Sequence, residues 1–133
     1  MKKIVFSLVL SLSMLSLVSC GNKAKEEAPK VDEAQVALIA KGQALFTEKT
    51  CVACHNADAK LVGPSLQSIV DSYKAKSVDI KTFLKGETKS ILDSTLVDSS
   101  MVTIMAANVV NITSPMADED LDALIAYINS IVK

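Results

Sequence analysis

The sequence predicts an all-α domain of three to five helices. Apolar residues recur at helical spacing in several stretches, Gly and Pro punctuate those stretches, and no convincing run of strand-type alternation occurs. The first helix is expected over about 32–49, where Val36, Ile39, Gln43 and Phe46 lie near one stripe and Lys41, Glu48 and Lys49 lie elsewhere. Gly42 falls in mid-helix, where it costs about 1 kcal/mol against Ala; it serves either a close backbone approach or nothing beyond a tolerated surface position. A second helix is expected over 66–76, barred from extending backward by Gly63-Pro64. A short third covers 78–85 and ends at Gly86. Residues 87–100, rich in Ser, Thr and Asp, read as loop. The last helix opens on Asp118, Glu119 and Asp120, acids that suit the positive start of a helix. Leu121, Leu124, Ile125, Ile128 and Ile131 or Val132 follow at helical spacing.

The chain has 133 residues and a formal net charge of −1, from 14 basic residues, all Lys, and 15 acids. That balance argues against nucleic acid as a partner, because phosphate binding needs a clustered positive excess. Part of the apolar content is not fold. Lys2 and Lys3 precede an apolar run from Ile4 to Val18 broken only by Ser, short of the about 20 residues a membrane span needs. This is the shape of an export signal, with a retained signal anchor as the alternative. The run ends in Leu17-Val18-Ser19-Cys20, which resembles the lipobox of bacterial lipoproteins. The resemblance implies cleavage before Cys20 and acylation of that residue, and two or more acyl chains anchor stably where one does not. Residues 1–19 are then a lipoprotein signal peptide, 20–30 a polar flexible tether, and 31–133 the folded domain, placed on the periplasmic or cell-surface side of a bacterial membrane. Loss of the signal removes two lysines and no acid, so the formal charge falls to −3.

With Cys20 given to lipid, Cys51 and Cys54 remain, in Cys51-Val52-Ala53-Cys54-His55. Four chemistries compete for this motif. A structural zinc site needs four ligands, and only Cys51, Cys54 and His55 are on offer unless a carboxylate joins them. A thioredoxin-like dithiol needs a βαβ frame, which the helical pattern does not supply. A Cys51–Cys54 disulfide closes too small a loop to stabilise much and leaves His55 unexplained. Covalent haem attachment uses this spacing directly: two thiols bond the macrocycle and the adjacent His is presented to the iron.

Around that motif, residues 36–130 resemble a class I, monohaem cytochrome c. The likeness rests on Gly42 and Phe46, the Cys51–His55 motif, Gly63-Pro64-Ser65-Leu66, and the closing helix with Tyr127-Ile128. It implies a small cytochrome c fold around one haem c with its iron. Gly42 and Tyr127 would meet where first and last helices cross, and the Pro64 carbonyl would orient His55. The one His excludes bis-His ligation within the chain, and the family uses Met. Met105 is the expected sixth ligand, with Met101 and Met116 as alternatives; Ala107 stands where the family often has Pro. Met101 and Met105 share a face if their segment is helical, and Met116 reads as the apolar residue before a helix cap. Tyr73 and Phe83 are expected in the haem pocket, with Tyr73 in reach of a propionate. Lys49, Lys60, Lys74 and Lys76 flank the site, either as steering charges or as ordinary solvated lysines.

The implied function is electron carriage, with no bond-making catalysis. Redox partners would be respiratory complexes, a terminal oxidase or a terminal reductase. The alternatives are a peroxidase or ligand sensor with an open sixth position, and a fixed haem subunit of a larger complex. Mass spectrometry of the mature chain is expected to find Cys20 at the N-terminus, carrying lipid; an unmodified Cys20, or a terminus elsewhere, refutes the lipoprotein reading.

Overall fold

The first helix begins where Asp32 turns its carboxylate back on the chain and accepts the Ala34 amide at 3.1 Å. The structure, a computed structural model, describes residues 32–133; the expected signal peptide and tether, with Cys20, lie outside the described residues. Five α-helices follow in order: α1 (Glu33–Glu48), α2 (Leu66–Ala75), α3 (Ile80–Leu84), α4 (Ser99–Asn108) and α5 (Asp118–Ile131). Among the described residues there is no strand, only an isolated bridge between His55 and Lys60. No described helix is long and apolar enough to cross a membrane.

Side-chain oxygens start three more of these helices. Ser65 accepts the Ser68 amide at 3.2 Å, Asp79 the Lys81 amide at 2.8 Å, and Asp98 the Met101 amide at 3.0 Å. Two expectations change accordingly. The third helix starts at Ile80, because Asp79 is its cap and Val78 lies outside it. The expected loop ends at Asp98, and Ser99 and Ser100 are already helical. Helix α4 carries no helical stripe in the sequence, because its apolar side chains, among them Met101, Val102, Ile104 and Met105, surround the axis. It runs into a π-helical turn, Val109–Thr113, closed by the Ser114 amide on the Val109 carbonyl at 2.8 Å.

The core joins Phe46 of α1, Leu66 and Val70 of α2, Leu84 of α3, and Leu121, Leu124 and Ile128 of α5. Its tightest point is the crossing of α1 and α5. A Cβ on Gly42 would lie 1.9 Å from the Ala123 carbonyl oxygen and 2.7 Å from Tyr127 Cβ. The backbones meet there, so Gly42 serves a close approach. One turn on, the Phe46 and Tyr127 rings pack tilted at 56° with centroids 5.5 Å apart. The crossing also corrects the expected stripe. Val36 is 50% exposed and Gln43 is exposed, while Gly42 and Phe46 carry the buried face. The point of backbone contact, six residues past Val36, decides which side of α1 turns inward.

Helix α3 is short and is held from outside itself. The buried Thr113 hydroxyl donates to the Leu84 carbonyl at 2.6 Å, and the Ser114 hydroxyl donates to Lys85 at 3.0 Å. Gly86, at φ +77°, then turns the chain away in a conformation that favours glycine. Lys81 and Lys85 pair with Asp122 and Asp118 at 2.6 and 3.1 Å. The hydrogen bond from Lys85 holds the Asp118 carboxyl below its usual range. These exposed pairs guide α3 onto α5 more than they stabilise it.

Gly42→Ala is expected to destabilise the domain by about 3 kcal/mol or more, because backbone cannot yield as a side chain can. Denaturant unfolding of the haem-loaded protein measures this; a change below about 1 kcal/mol would mean the helices can part without loss.

Candidate functional site

Helix α1 delivers the chain directly to the cysteine motif. Lys49 closes the helix, and Thr50 bends the backbone through φ +60°, a left-handed conformation costly for a β-branched residue. A 3₁₀ turn, Cys51–Ala53, follows. The Cys51 carbonyl accepts the amides of Cys54 at 3.1 Å and His55 at 3.0 Å. This turn winds both thiols and the imidazole round a single carbonyl. The loop beyond is laced shut by Gly63 N–H to Cys54 O at 2.9 Å and Leu66 N–H to Asn56 O at 2.8 Å.

Cys51, Cys54 and His55 line one side of a cleft of about 990 Å³, counted out to open solvent. Its walls are largely apolar and include Phe46, Leu66, Ile80, Phe83, Leu124 and Ile128. Met101 and Met105 of α4 line the same cleft. Met116 does not. It packs on the core just before the α5 cap and borders a separate groove with Leu45 and Pro115.

His55 Nδ1 lies 2.9 Å from the Pro64 carbonyl oxygen. A carbonyl only accepts, so Nδ1 carries the ring proton and Nε2 keeps its lone pair. The ring is also pressed from the side. A Cβ on Gly63 would lie 2.8 Å from His55 Cε1 and 3.1 Å from Nδ1. In the sequence Gly63 reads as part of a helix stop and of the Gly63-Pro64-Ser65-Leu66 likeness. Nothing in the local sequence shows that an imidazole rests against it.

Both thiols are free. Burial pushes the Cys51 thiol above its ordinary range. Tyr73, 3% exposed, packs on Phe83 with ring centroids 6.1 Å apart. Its hydroxyl is buried without a hydrogen-bond partner, and burial raises its pKa. Ser90 and the Ile91 amide oppose that rise without reaching hydrogen-bond geometry, and Ser90 also lines the cleft, a residue the sequence did not single out. The flanking lysines are mostly occupied. Lys49 pairs with Glu48 at 3.0 Å, while Lys60 and Lys76 donate to the Leu96 and Ile91 carbonyls at 3.2 and 2.6 Å. The last two brace the 87–98 loop against the rest of the domain.

Two thiols, an imidazole with its Nε2 free, thioethers on a second element and an orphaned phenol surround an apolar slot. This set fits a flat apolar macrocycle bonded through sulfur. Among the described residues, no three His, Cys, Asp or Glu side chains are grouped to hold a metal ion.

Comparison with known proteins points the same way. A family model described as cytochrome c matches residues 39–131. The chain is 49% identical over 52 residues to a cytochrome c-551 of Pseudomonas denitrificans, an alignment covering 34% of this chain and 63% of that protein. It is 51% identical over 35 residues to a cytochrome c-551 of Stutzerimonas stutzeri, covering 26% and 34%. The chain spans less than two thirds of either relative's length.

Gly63→Ala is expected to push the His55 ring away from Pro64. Proton NMR should show the Nδ1 proton exchanging faster with solvent; an unchanged resonance would mean the ring tolerates the methyl.

Proposed function

Because the chain belongs to the cytochrome c family, which holds a covalently bound haem c with its iron, we propose that it is a single-electron carrier tethered by lipid to a membrane outside the cytoplasm. The observation that carries this reading is the His55–Pro64 hydrogen bond beside two free thiols in an apolar cleft. When bound, the haem supplies a reversible one-electron couple at its iron.

The remaining chemistry belongs to the protein. Cys51 and Cys54 would form the two thioether bonds that hold the haem. His55 would offer Nε2 to the iron. Its Nδ1 proton, held by Pro64, fixes the ring and raises the basicity of the ligating nitrogen. Met105 of α4 would supply a second ligand to the iron. Its soft, uncharged sulfur would favour the reduced state and raise the potential relative to a nitrogen pair. With His55 and Met105 both engaged, the iron would have no place for oxygen or peroxide, as electron carriage requires. The Tyr73 hydroxyl, buried without a partner, would donate to a propionate. Apolar walls keep water out and limit rearrangement when the charge changes.

Export, the acylated Cys20 and the 20–30 tether place the domain at a membrane surface, where tethering raises its effective concentration near partners. Those partners are redox proteins such as respiratory complexes, a terminal oxidase or a terminal reductase.

Met105→Leu keeps the side-chain volume and removes the sulfur. It is expected to shift the midpoint potential and to displace or abolish the far-red sulfur-to-iron band of the oxidised protein. A potential and spectrum matching the parent would overturn Met105 as the ligand.

A further inference from the structure

Helix α4 presents two thioethers to one cleft. Met101 and Met105 both line it, both are half-buried, and they stand one turn apart on the same helix face. We propose that Met101 is a reserve axial ligand, taking the sixth position whenever Met105 is lost and so keeping the carrier closed. The inference rests on the reading of Met105 as resident ligand.

The pair's own chemistry suits the exchange. Methionine side chains are unbranched and flexible, and both reach the same cleft. The chain is fixed on either side of α4: Val109 and Thr113 are buried, Thr113 and Ser114 are bonded to α3 at 2.6 and 3.0 Å, and Lys60 holds the Leu96 carbonyl at 3.2 Å. Two residues four apart on a helix stand about 6 Å apart along its axis, and the long Met101 side chain is to span that distance with only local adjustment of α4 between its fixed ends.

Competing donors are elsewhere. Met116 borders a different groove, and Lys60 and Lys76 are engaged with backbone carbonyls. The exchange balances simply. The coordinate bond from the Met105 sulfur breaks and one from the Met101 sulfur forms. Neither thioether titrates, so no proton or electron moves.

The test uses the full-length, haem-loaded protein as Met105→Leu and as the double variant Met101→Leu/Met105→Leu. Intact mass and far-UV circular dichroism show that each carries one covalent haem and the parent's helicity. The single variant is expected to stay low-spin, with a displaced far-red sulfur band. When reduced, it should show one strongly upfield-shifted methionine methyl by NMR and no carbon monoxide binding. The double variant is expected to lose the band and the shifted methyl, turn high-spin and bind carbon monoxide. A single variant that is already high-spin and binds carbon monoxide overturns the reserve role while leaving Met105 as ligand. A double variant that keeps a sulfur band also overturns it, by assigning the reserve elsewhere. Single and double variants that both match the parent overturn the assignment of Met105 itself.

Discussion

The contact between Gly42 and Ala123 sets the frame for everything else in the domain. With no side chain at Gly42, the backbones of α1 and α5 touch, and that fixes the rotation of both helices about their axes. Phe46 then falls against Tyr127 and into the cleft wall, and Leu124 and Ile128 face the same cleft from α5. The crossing also fixes where α1 ends. Thr50 bends the chain only after the helix has carried it past the core, so Cys51 and Cys54 emerge at the rim of the slot those helices form. A methyl group at position 42 would thus act on the site as well as on stability.

The His55 side of the cleft is stiff for a different reason. The imidazole is held by a hydrogen bond on one edge, by the Gly63 backbone along its side, and by its own place in a turn closed on the Cys51 carbonyl. The bond to Pro64 does chemical work too. It selects the tautomer with Nε2 unprotonated, which a metal requires, without needing an acidic partner nearby. A carboxylate in that place would bring a second charge into an apolar slot, where it would be costly.

What could be read from the sequence divides along the same line. The Cys51–His55 motif fixes its chemistry through spacing alone, and the closing helix declares itself through an acidic start and a regular apolar face. Caps were also written locally: Asp79 and Asp98 sit where α3 and α4 begin, but a Ser, Thr and Asp-rich stretch suits a loop equally well. Helix α4 and its π turn could not be found by periodicity, because apolar residues all round an axis have no preferred face. Gly63 and Ser90 act only through partners brought close by folding, and the inward face of α1 depends on α5, so Val36 was placed on the wrong side. Resemblance to a family supplied the roles of Gly42 and Pro64 that pattern alone left open.

The two sides of the cleft are held differently, and the difference suits the proposed one-electron carriage. Cys51, Cys54 and His55 follow from the α1–α5 crossing. The methionines belong to α4, which depends on a cap at Asp98, whose carboxyl is held below its usual range by the Ser100 hydroxyl. Because that carboxyl's folded pKa is depressed, its contribution is present above the ordinary carboxylate range, near about pH 4, and is lost as pH falls through the folded value. Acid therefore removes support from α4 through Asp98 while the His55–Pro64 bond, which involves no carboxylate, is untouched by that titration. Elements that must release or exchange a bond are drawn from the weakly held part of a fold. In the proposed reading, covalent links through Cys51 and Cys54 would let the domain keep its cofactor under conditions that disturb the methionine side.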